Sequence, residues 1–406
     1  MKVLLVHNFY GSSAPSGENK VFCMEKALLE SFGHTVEVFT RSSDEIRNNG
    51  YLGVLHGALT NPWNFLSAIK IRRLIKIFQP DIIHVHNTFP LISPSIFYKI
   101  DKAIPIVLTV HNYRIFCAAG VPMRNGRVCT ECLDRRTVMP AINYGCYRNS
   151  RIATIPLAIN IALHHYLKTW VKRIDLFIAF SDFQRQLLGK AGLPIEKILL
   201  KPNFCLDTLP KNAEQERLPI IVYVGRLGAE KGLISLIEAW RQWCKVSNTV
   251  PTLRIIGDGP LRAQLETLAM GLPVQFMGQM LENDAKNEIA KAQLLVLPSE
   301  CYEGFPMVIA EAFSLGTPVA VSNFGPLTAI VEDGVNGIIF EPKNPQSLFS
   351  SIQKIWGNPL KLKELQDGAR LSFEEKYSPE KNYQTLINIY NSAINNNLQK
   401  FANAEL

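Results

Sequence analysis

Short apolar runs alternate with amphipathic segments along almost the whole chain. In the first half, strand-like runs fall at 2–7, 35–40, 81–86, 105–109 and 176–180. A second series follows at 218–224, 252–256, 274–276, 294–297, 318–321 and 337–340. Between them lie helical segments such as 20–32, which is followed by the helix-stop residue Gly33. This alternation predicts an α/β fold with two doubly wound parallel-sheet domains.

The predicted join between the domains lies near 201–203. We expect an N-terminal domain of residues 1–205, with an insertion at about 113–151, and a second domain of residues 206–378. Residues 379–406 predict a C-terminal helix that either caps the second domain or crosses back to the first. Ligands of such folds bind at strand carboxyl ends and between domains, so the site is expected there.

The charge is uneven along the chain. Residues 1–200 carry 24 Lys and Arg against 13 Asp and Glu, whereas the whole chain has a net charge of +8. A basic first half indicates an anionic partner such as phosphate groups or a membrane surface, or else a generally basic, soluble surface. No nucleic-acid-binding motif accompanies the charge, so a nucleic-acid partner is not expected.

Membrane contact is predicted only at the surface. The N-terminus runs directly into a strand without a signal-peptide pattern, and no stretch reaches the ~18 apolar residues of a transmembrane helix. The apolar stretch 152–163 is interrupted by Pro156 and Asn160 and continues into a basic segment that contains Trp170. It predicts either a helix at a bilayer interface or an ordinary packed helix. We expect a cytoplasmic protein, at the inner face of the membrane if the first alternative holds.

Two carboxylates stand out near the end of the second strand series. Glu303 follows the buried strand 294–297 on a Gly-containing turn, and Glu311 comes eight residues later in an apolar helical run. At 3.6 residues per turn, this interval corresponds to about two helical turns. Both carboxylates are therefore predicted to border one pocket.

A cationic turn follows the strand 218–224. Gly225 permits a tight turn, and Arg226 and Lys231 then place two cations beside the start of a helix at Leu233. A helix N-terminus with two cations predicts a diphosphate site. The later Gly257-Asp258-Gly259 segment is followed by Pro260 and has Arg262 in place of a third glycine, which argues against NAD binding.

Together, these motifs resemble the retaining glycosyltransferases of the GT-B fold known as family 4, which assemble bacterial glycans. The resemblance covers nearly the whole chain. It rests on the ordered set 225–232, 257–260, 298–299, 303–311, 316–319 and 332–337.

The resemblance implies roles for individual residues. Arg226 and Lys231 would hold the donor diphosphate, Glu303 the donor-sugar hydroxyls and Glu311 the nucleotide ribose. The further implied donor contacts are Gly17, Gly225, Gly259 and the backbone of Gly304, Phe305, Pro306 and Met307. The chain departs from the family at Phe324, where a glycine is usual, and at Thr328, where an acid is usual.

The first domain is predicted to bind the acceptor. The small-residue loop 11–17 lies between the first strand and the first helix, and the resemblance places it over the donor phosphates and the acceptor. His111 follows the strand 105–109 and, by the same resemblance, contacts the donor sugar. We predict His111, with Glu303, Arg226 and Lys231, as the catalytic group. His86 and Asn87 end another strand and are weaker candidates.

Four cysteines fall within 30 residues of one another: Cys117, Cys129, Cys132 and Cys146. Cys-x2-Cys flanked by two further thiols predicts a structural Zn²⁺ site, with free thiols or an oxidised pair as the alternatives. The same insertion is rich in Arg and would suit a phosphorylated acceptor.

The predicted reaction is transfer of a sugar from a nucleotide diphosphate sugar to a hydroxyl of a glycan or lipid-linked acceptor, in polysaccharide or glycoconjugate synthesis. No Asp-x-Asp motif is present, and the cations supply the charge, so no metal cofactor is expected for catalysis. The alternatives are a sugar-nucleotide epimerase or phosphorylase of the same fold, or a non-catalytic nucleotide-sugar-binding protein.

Overall fold

The computed structural model describes residues 1–12, 16–208 and 217–402, which form two compact units. The first unit contains residues 1–122, 129–201 and the segment from 383 onward. The second contains residues 123–128 and 202–382. Of the predicted loop 11–17, residues 13–15 lie outside the described residues, as do 209–216 and 403–406.

The strands are, in chain order, β1 (Lys2–Phe9), β2 (Thr35–Ser42), β3 (Ile82–Val85), β4 (Ile106–Thr109), β5 (Met123–Arg124), β6 (Arg127–Val128), β7 (Leu176–Ala179), β8 (Ile198–Leu200), β9 (Leu218–Val224), β10 (Thr252–Ile256), β11 (Val274–Gly278), β12 (Ala292–Leu297), β13 (Val319–Ser322) and β14 (Gly337–Phe340).

The α-helices are α1 (Gly17–Ser31), α2 (Asp44–Asn48), α3 (Gly50–Thr60), α4 (Phe65–Phe78), α5 (Glu131–Asp134), α6 (Met139–Tyr144), α7 (Arg151–Tyr166), α8 (Thr169–Arg173), α9 (Asp182–Lys190), α10 (Leu233–Val246), α11 (Arg262–Leu268), α12 (Glu282–Lys291), α13 (Met307–Ser314), α14 (Leu327–Ile330), α15 (Pro345–Gln353), α16 (Pro359–Ser372) and α17 (Pro379–Ala402). Short 3₁₀ turns cover Pro94–Tyr98, Ile195–Lys197 and Ala229–Lys231, and a π-helical turn covers Phe373–Tyr377.

The first unit is built on a parallel sheet of order β2-β1-β3-β4-β7-β8. Its central strands are apolar on both faces, and each face carries a core cluster. The direction of winding reverses between β1 and β3, so their carboxyl ends form a switch point where a ligand crevice is expected.

The helix α17 contributes to the first unit from the far end of the chain. Leu386, Ile389, Tyr390 and Ala393 are buried in the same cluster as Val3, Leu5 and Ile82 of the sheet. These four residues follow helical spacing and form one apolar stripe. The C-terminal helix therefore packs against the sheet of the first unit.

The second unit repeats the architecture with the order β11-β10-β9-β12-β13-β14, again parallel. Its switch point lies between β9 and β12. The prediction of two doubly wound parallel sheets is confirmed. Sequence analysis missed β8 and the antiparallel hairpin β5-β6.

The stretch around Pro156 forms a single helix, α7. Pro156 lacks the backbone N–H that would donate a helical hydrogen bond, but the turns of α7 on either side of it keep their N–H donors. Within the described residues, no helix combines the length and the apolar character needed to cross a bilayer.

Candidate active site

Lys231 and Glu303 meet at the switch point of the second unit. Lys231 follows β9 and Glu303 follows β12, and the Lys231 Nζ lies 2.6 Å from the Glu303 Oε1. The Ser299 hydroxyl donates to the same oxygen at 2.7 Å. The backbone N–H of Glu300 donates to the Glu230 carbonyl at 2.9 Å, which joins the two loops. Two of the four predicted catalytic residues, Lys231 and Glu303, are therefore side by side.

Burial strengthens this pair. Burial alone would raise the pKa of Glu303, but the Lys231 ammonium, Ser299 and the Cys301 thiol hold it below its usual value. Burial alone would lower the pKa of Lys231, and Glu303 raises it above its usual value. Both groups are thus ionised at neutral pH, and the ammonium keeps further N–H donors for another acceptor.

Glycines allow the loops of the site to approach each other. Gly232 has a φ of +69°, and a Cβ there would lie 1.9 Å from the Pro298 carbonyl oxygen. Gly257 has a φ of +132°, and its Cβ would lie 2.0 Å from the Gly225 carbonyl oxygen. At Gly259, a Cβ would lie 2.6 Å from the Leu227 oxygen. Larger residues at these positions would separate the loops that carry the cations.

Arg226 is the exposed cation of the site. Its side chain is 65% exposed and donates to the Glu230 carboxylate, four residues later. Exposed ion pairs of this type contribute about 0–1 kcal/mol, so an anionic ligand can recruit the guanidinium at little cost. The Tyr223 hydroxyl donates to the Arg226 carbonyl at 2.9 Å and holds the loop against β9.

Glu311 lies in α13, which begins only at Met307. The predicted two turns between Glu303 and Glu311 are therefore wrong, because only the last part of the interval is helical. Pro306 is the N-cap residue and has no N–H, so the amides available there belong to Gly304, Phe305 and Met307. The N-terminus of this eight-residue helix favours an anion.

The two departures from the family pattern lie beyond β13. The Phe324 ring packs on Tyr302 with centroids 5.4 Å apart. The Thr328 hydroxyl donates to the Gly325 carbonyl at 3.2 Å. An aromatic ring thus adjoins the turn that carries Glu303.

The first unit carries a recess at the carboxyl ends of β3 and β4. It encloses about 670 Å³, part of it open to solvent, and has His86, Asn87 and His111 among its lining residues. Helix α7 contributes the apolar side chains Leu157 and Ile161 to its wall. Burial, together with the nearby imidazoles, lowers the pKa of His111 well below its usual value, so this ring is neutral. The recess thus combines a polar floor with an apolar wall.

Asn87 has a local structural role as well. Its amide donates to the Asn8 carbonyl at 3.2 Å, and its Oδ1 accepts from the Phe89 N–H at 2.8 Å. These bonds tie the end of β1 to the end of β3. His86 and His111 are in direct contact, with 2.9 Å between His86 Nδ1 and His111 Nε2.

Glu18 is a candidate site residue that sequence reasoning missed. It follows Gly17, the first residue of α1, and its Oε2 accepts from the Asn112 amide at 3.3 Å. Its Oε1 is shielded from solvent and has no hydrogen-bond partner among the residues that the structure describes. Burial raises the pKa of Glu18 to about 8, against the opposing effects of Asn112, Arg114 and Asn87. A carboxyl group that titrates near neutral pH suits proton transfer or hydrogen bonding to a ligand.

A buried ionic cluster underlies the recess. Glu25 of α1 lies 2.8 Å from the Lys201 Nζ through Oε2, and its Oε1 lies 2.9 Å from His84 Nδ1 and 3.1 Å from His86 Nε2. Sequence reasoning missed Glu25 and Lys201. The available signal was an acid on the apolar stripe of α1, among the buried residues Val21, Phe22, Leu28 and Leu29.

Within the described residues, Glu25, His84 and His86 are the group whose potential metal-ligand atoms lie within 4.8 Å of one another. The Lys201 ammonium already supplies a positive charge at this carboxylate. The four clustered cysteines do not form such a group, and none of them is in a disulfide. Burial raises the pKa of Cys117 to about 11, although the backbone N–H groups of Ala119 and Gly120 oppose the shift. Zinc binding by these cysteines stays a prediction.

Two families match this chain. Residues 24–205 match Glycosyltransferase Family 4, and residues 207–372 match Glycosyl transferases group 1. A GDP-mannose-dependent alpha-(1-6)-phosphatidylinositol dimannoside mannosyltransferase of Mycobacterium tuberculosis is 35% identical over 347 residues, which is 82% of each chain. An uncharacterized glycosyltransferase of Methanocaldococcus jannaschii is 33% identical over 184 residues, 44% of this chain and 46% of that protein.

The chain thus spans about half the length of some of the curated relatives it matches. Among solved structures, Anabaena HepE in complex with UDP and glucose has a TM-score of 0.63 and 19% identity, with 97% of this chain and 100% of HepE covered. This likeness concerns the fold, which is of the GT-B type.

Proposed function

Because the chain belongs to the family 4 glycosyltransferases, we propose that it moves a sugar from a nucleotide diphosphate sugar to a hydroxyl group of a glycan or lipid-linked acceptor. The observation that carries this proposal is the partly buried ammonium–carboxylate pair of Lys231 and Glu303 at the switch point of the second unit. A diphosphate is bound by a cation and sugar hydroxyls are bound by a carboxylate, so a nucleotide diphosphate sugar requires both groups side by side.

On the donor side, Lys231, Arg226 and the start of α10 neutralise the charge that grows on the diphosphate as the C1–O bond breaks. Glu303 accepts hydrogen bonds from sugar hydroxyls, and Glu311 from the ribose. Gly225 and Gly259 keep the loops close, and the N–H groups of Gly304, Phe305 and Met307 face the nucleotide. This positive charge comes from the protein, so transfer requires no metal cofactor.

Two relatives support a nucleoside diphosphate leaving group. The mannosyltransferase of Mycobacterium tuberculosis is named as GDP-mannose-dependent, and HepE has been solved with UDP and glucose. Both leaving groups share the diphosphate and differ in the base. The base and sugar used by this chain are therefore to be found by screening.

On the acceptor side, we propose that the recess of the first unit, which His111 lines, holds the acceptor hydroxyl, and that Gly17 contacts the donor. The acceptor oxygen attacks C1 from the face that the diphosphate leaves. The C1–O bond to the acceptor forms, the C1–O bond to the diphosphate breaks, and the acceptor proton passes to the departing phosphate oxygen. This sequence retains the configuration at C1.

A lipid-linked acceptor is supported by an exposed apolar surface on the first unit. Helix α3 exposes Tyr51 (96%), Leu52 (78%) and Leu59 (71%), and α7 exposes Ile152 (81%). The two helices adjoin, since the Asn160 amide of α7 donates to the Asn61 carbonyl at the end of α3 at 2.6 Å. The first unit also exposes cations in α4, α7, α8 and at the N-cap of α8: Lys70, Arg72, Arg73, Lys76, Arg151, Lys168 and Lys172.

Exposed apolar side chains and exposed cations on one unit suit the surface of an anionic bilayer. The same helix α7 also forms the apolar wall of the recess. A lipid-borne acceptor could therefore reach the recess without leaving the membrane surface. We propose that the protein works at the inner face of the membrane.

The proposed function is tested by screening UDP-, GDP- and ADP-sugars for thermal stabilisation and then for transfer. A donor at 100 times its Kd should add about 2.7 kcal/mol to the free energy of unfolding. The stabilising donor should lose its sugar only when an acceptor is added, with the same anomeric configuration in the product. Conversion of the donor without any acceptor would instead indicate an epimerase, and the absence of any binding would contradict the proposal.

A further inference from the structure

The loop that follows β13 differs in charge from the neighbouring loops at the same edge of the second sheet. The loop after β9 carries Arg226 and Lys231, and the loop after β12 carries Glu303. By contrast, residues 323–331 contain no charged side chain. Because β9, β12 and β13 are parallel neighbours, the three loops leave the sheet side by side. This edge of the sheet is therefore charged at β9 and β12 and uncharged at β13.

Two aromatic rings lie where the charged and uncharged parts meet. Tyr302 directly precedes Glu303, and Phe324 is the second residue after β13. Their ring centroids are 5.4 Å apart, and the ring planes are inclined by 37°. Both residues are half-buried, so part of their aromatic surface is accessible. The two rings form an apolar wall beside the turn that carries Glu303, and we call this pair the aromatic wall.

The order of the strand ends decides which part of the donor comes nearest to the aromatic wall. In the proposed function, the diphosphate lies at Lys231 and the start of α10, and Glu303 holds the donor sugar. Since β12 separates β9 from β13 in the sheet, Phe324 lies on the side of Glu303 away from Lys231. The sugar, rather than the diphosphate, is therefore the neighbour of the aromatic wall.

The aromatic wall treats a hydroxyl group and a methyl group differently. The Phe324 ring has no hydrogen-bonding atom, and the Thr328 hydroxyl donates to the Gly325 carbonyl at 3.2 Å. A sugar hydroxyl that faces the Phe324 ring loses its water without gaining a hydrogen bond, which is costly. A methyl group at the same place gains from leaving water and packing on the ring. The two substituents are thus discriminated in favour of the methyl group.

We propose that Phe324 and Tyr302 are specificity-determining residues that favour a donor sugar bearing a methyl group over its parent hexose. This inference rests on the proposed function, because it assigns the aromatic wall to the sugar of the donor. Two kinds of sugar carry such a methyl group: a 6-deoxyhexose at C6, and an N-acetylhexosamine in its acetamido group. Both present the same chemistry to the rings, and paired donors separate them.

The first test compares paired donors on the full-length protein. GDP-6-deoxymannose is paired with GDP-mannose, and UDP-N-acetylglucosamine with UDP-glucose. In at least one pair, wild type should prefer the methyl-bearing donor by about tenfold or more in kcat/KM, the range typical of one methyl-sized group in an apolar pocket. Measurable transfer without such a preference in either pair would overturn the inference and leave the proposed function standing. A donor screen that yields only sugars without a methyl group would overturn it too.

Variants of Phe324 assign the preference to the ring. Phe324→Ser should reduce the preference to about threefold or less, whereas Phe324→Leu keeps an apolar side chain and should retain most of it. Tyr302→Phe keeps the ring and should retain the preference fully. Because the preference is a ratio measured on one preparation, a smaller folded fraction cancels. An undiminished preference in Phe324→Ser would overturn the inference.

The matched control is Phe276→Ser. Phe276 is another half-buried phenylalanine of the second unit, and it lies in β11 at the opposite edge of the sheet. Its replacement should leave the preference between the paired donors as it is in wild type. Loss of the preference in this control as well as in Phe324→Ser would contradict a specific role of the aromatic wall.

Binding without turnover separates the sugar from the base. In Phe324→Ser, the Kd of UDP or GDP alone, measured by calorimetry, should stay within about twofold of wild type, while the Kd of the preferred methyl-bearing donor should rise by about tenfold. Equal weakening of the nucleotide and of the donor would show that the rings stack on the base. That result would overturn the inference and leave the transferase function intact, whereas a failure of every donor to bind wild type would overturn both.

Discussion

Glu18 is a carboxyl group with one solvent-shielded oxygen, close to the Tyr10 hydroxyl and to Asn112, Asn87 and Arg114. Burial raises its pKa to about 8 from the ordinary value of 4.5. The folded protein therefore holds this proton more tightly than the unfolded chain. The stabilisation is fully present below about pH 4.5 and is lost as the pH rises through about 8.

Glu18→Gln should remove this pH dependence. Relative to wild type, the free energy of unfolding of the variant should rise by about 1 kcal/mol or more between pH 5 and pH 8, the equivalent of roughly one pKa unit. Urea unfolding at both pH values measures the difference. Glu30→Gln, at an exposed carboxyl of the same helix, is the control and should show no such rise. A constant difference for Glu18→Gln would show that its carboxyl is ionised throughout.

Single residues also mark the limit of sequence reasoning. Glu303, Lys231 and His111 could be predicted because each follows a recognisable strand. The buried cluster behind His111 could not be predicted, although His86 was singled out at the end of its strand, because Glu25, Lys201 and His86 come from three distant segments of the chain. Only the acid on the apolar stripe of α1 hinted at the buried network.

At the scale of elements, the alternation of apolar runs predicted the strands of both sheets. The strand β8 was not predicted because it has only three residues and lies at a sheet edge, where the apolar pattern is weak. The hairpin β5-β6 has two residues per strand, too few for any period. The start of α13 was misplaced because the Gly-Phe-Pro turn before it delays the helix.

The cysteine-rich insertion is the element whose chemistry is still a prediction. If Cys117, Cys129, Cys132 and Cys146 hold a structural Zn²⁺, protein purified without chelator should contain about one zinc per chain. Cys129→Ser with Cys132→Ser should lose the metal and lower Tm by about 5 °C or more. The control variant, Cys23→Ser with Cys244→Ser, changes cysteines outside the cluster and should keep the zinc and the wild-type Tm. A zinc-free wild type with the same Tm as the cluster variant would rule out the metal and leave free thiols or an oxidised pair.

At the scale of the whole molecule, the excess of positive charge lies in the half of the chain that also exposes the apolar helices α3 and α7. The two features together favour an anionic lipid surface. Neither would suffice alone, since scattered apolar residues and basic surfaces are both common.

Full-length protein should therefore sediment with vesicles that contain phosphatidylglycerol more than with pure phosphatidylcholine vesicles, and less at high salt. Leu52→Ser, Leu59→Ser and Ile152→Ser combined should weaken binding by about tenfold or more, because each side chain loses part of the ~1.5–3 kcal/mol of its burial. Leu281→Ser with Leu360→Ser replaces equally exposed leucines of the second unit and should have no effect. Equal sedimentation with both lipids would argue against an anionic membrane partner.

The central claim is that the Lys231 ammonium, held by Glu303, stabilises the charge of a departing nucleoside diphosphate. The most direct test is the turnover of Lys231→Ala with the donor found by screening. The matched control is Lys286→Ala, at another largely buried lysine of the second unit. Lys286 lies in α12, away from the strand ends, and its Nζ is 2.8 Å from the Glu282 carboxylate. We predict a loss in kcat of about 100-fold or more for Lys231→Ala and near-wild-type turnover for the control. Near-normal turnover of a folded Lys231→Ala variant would contradict the account.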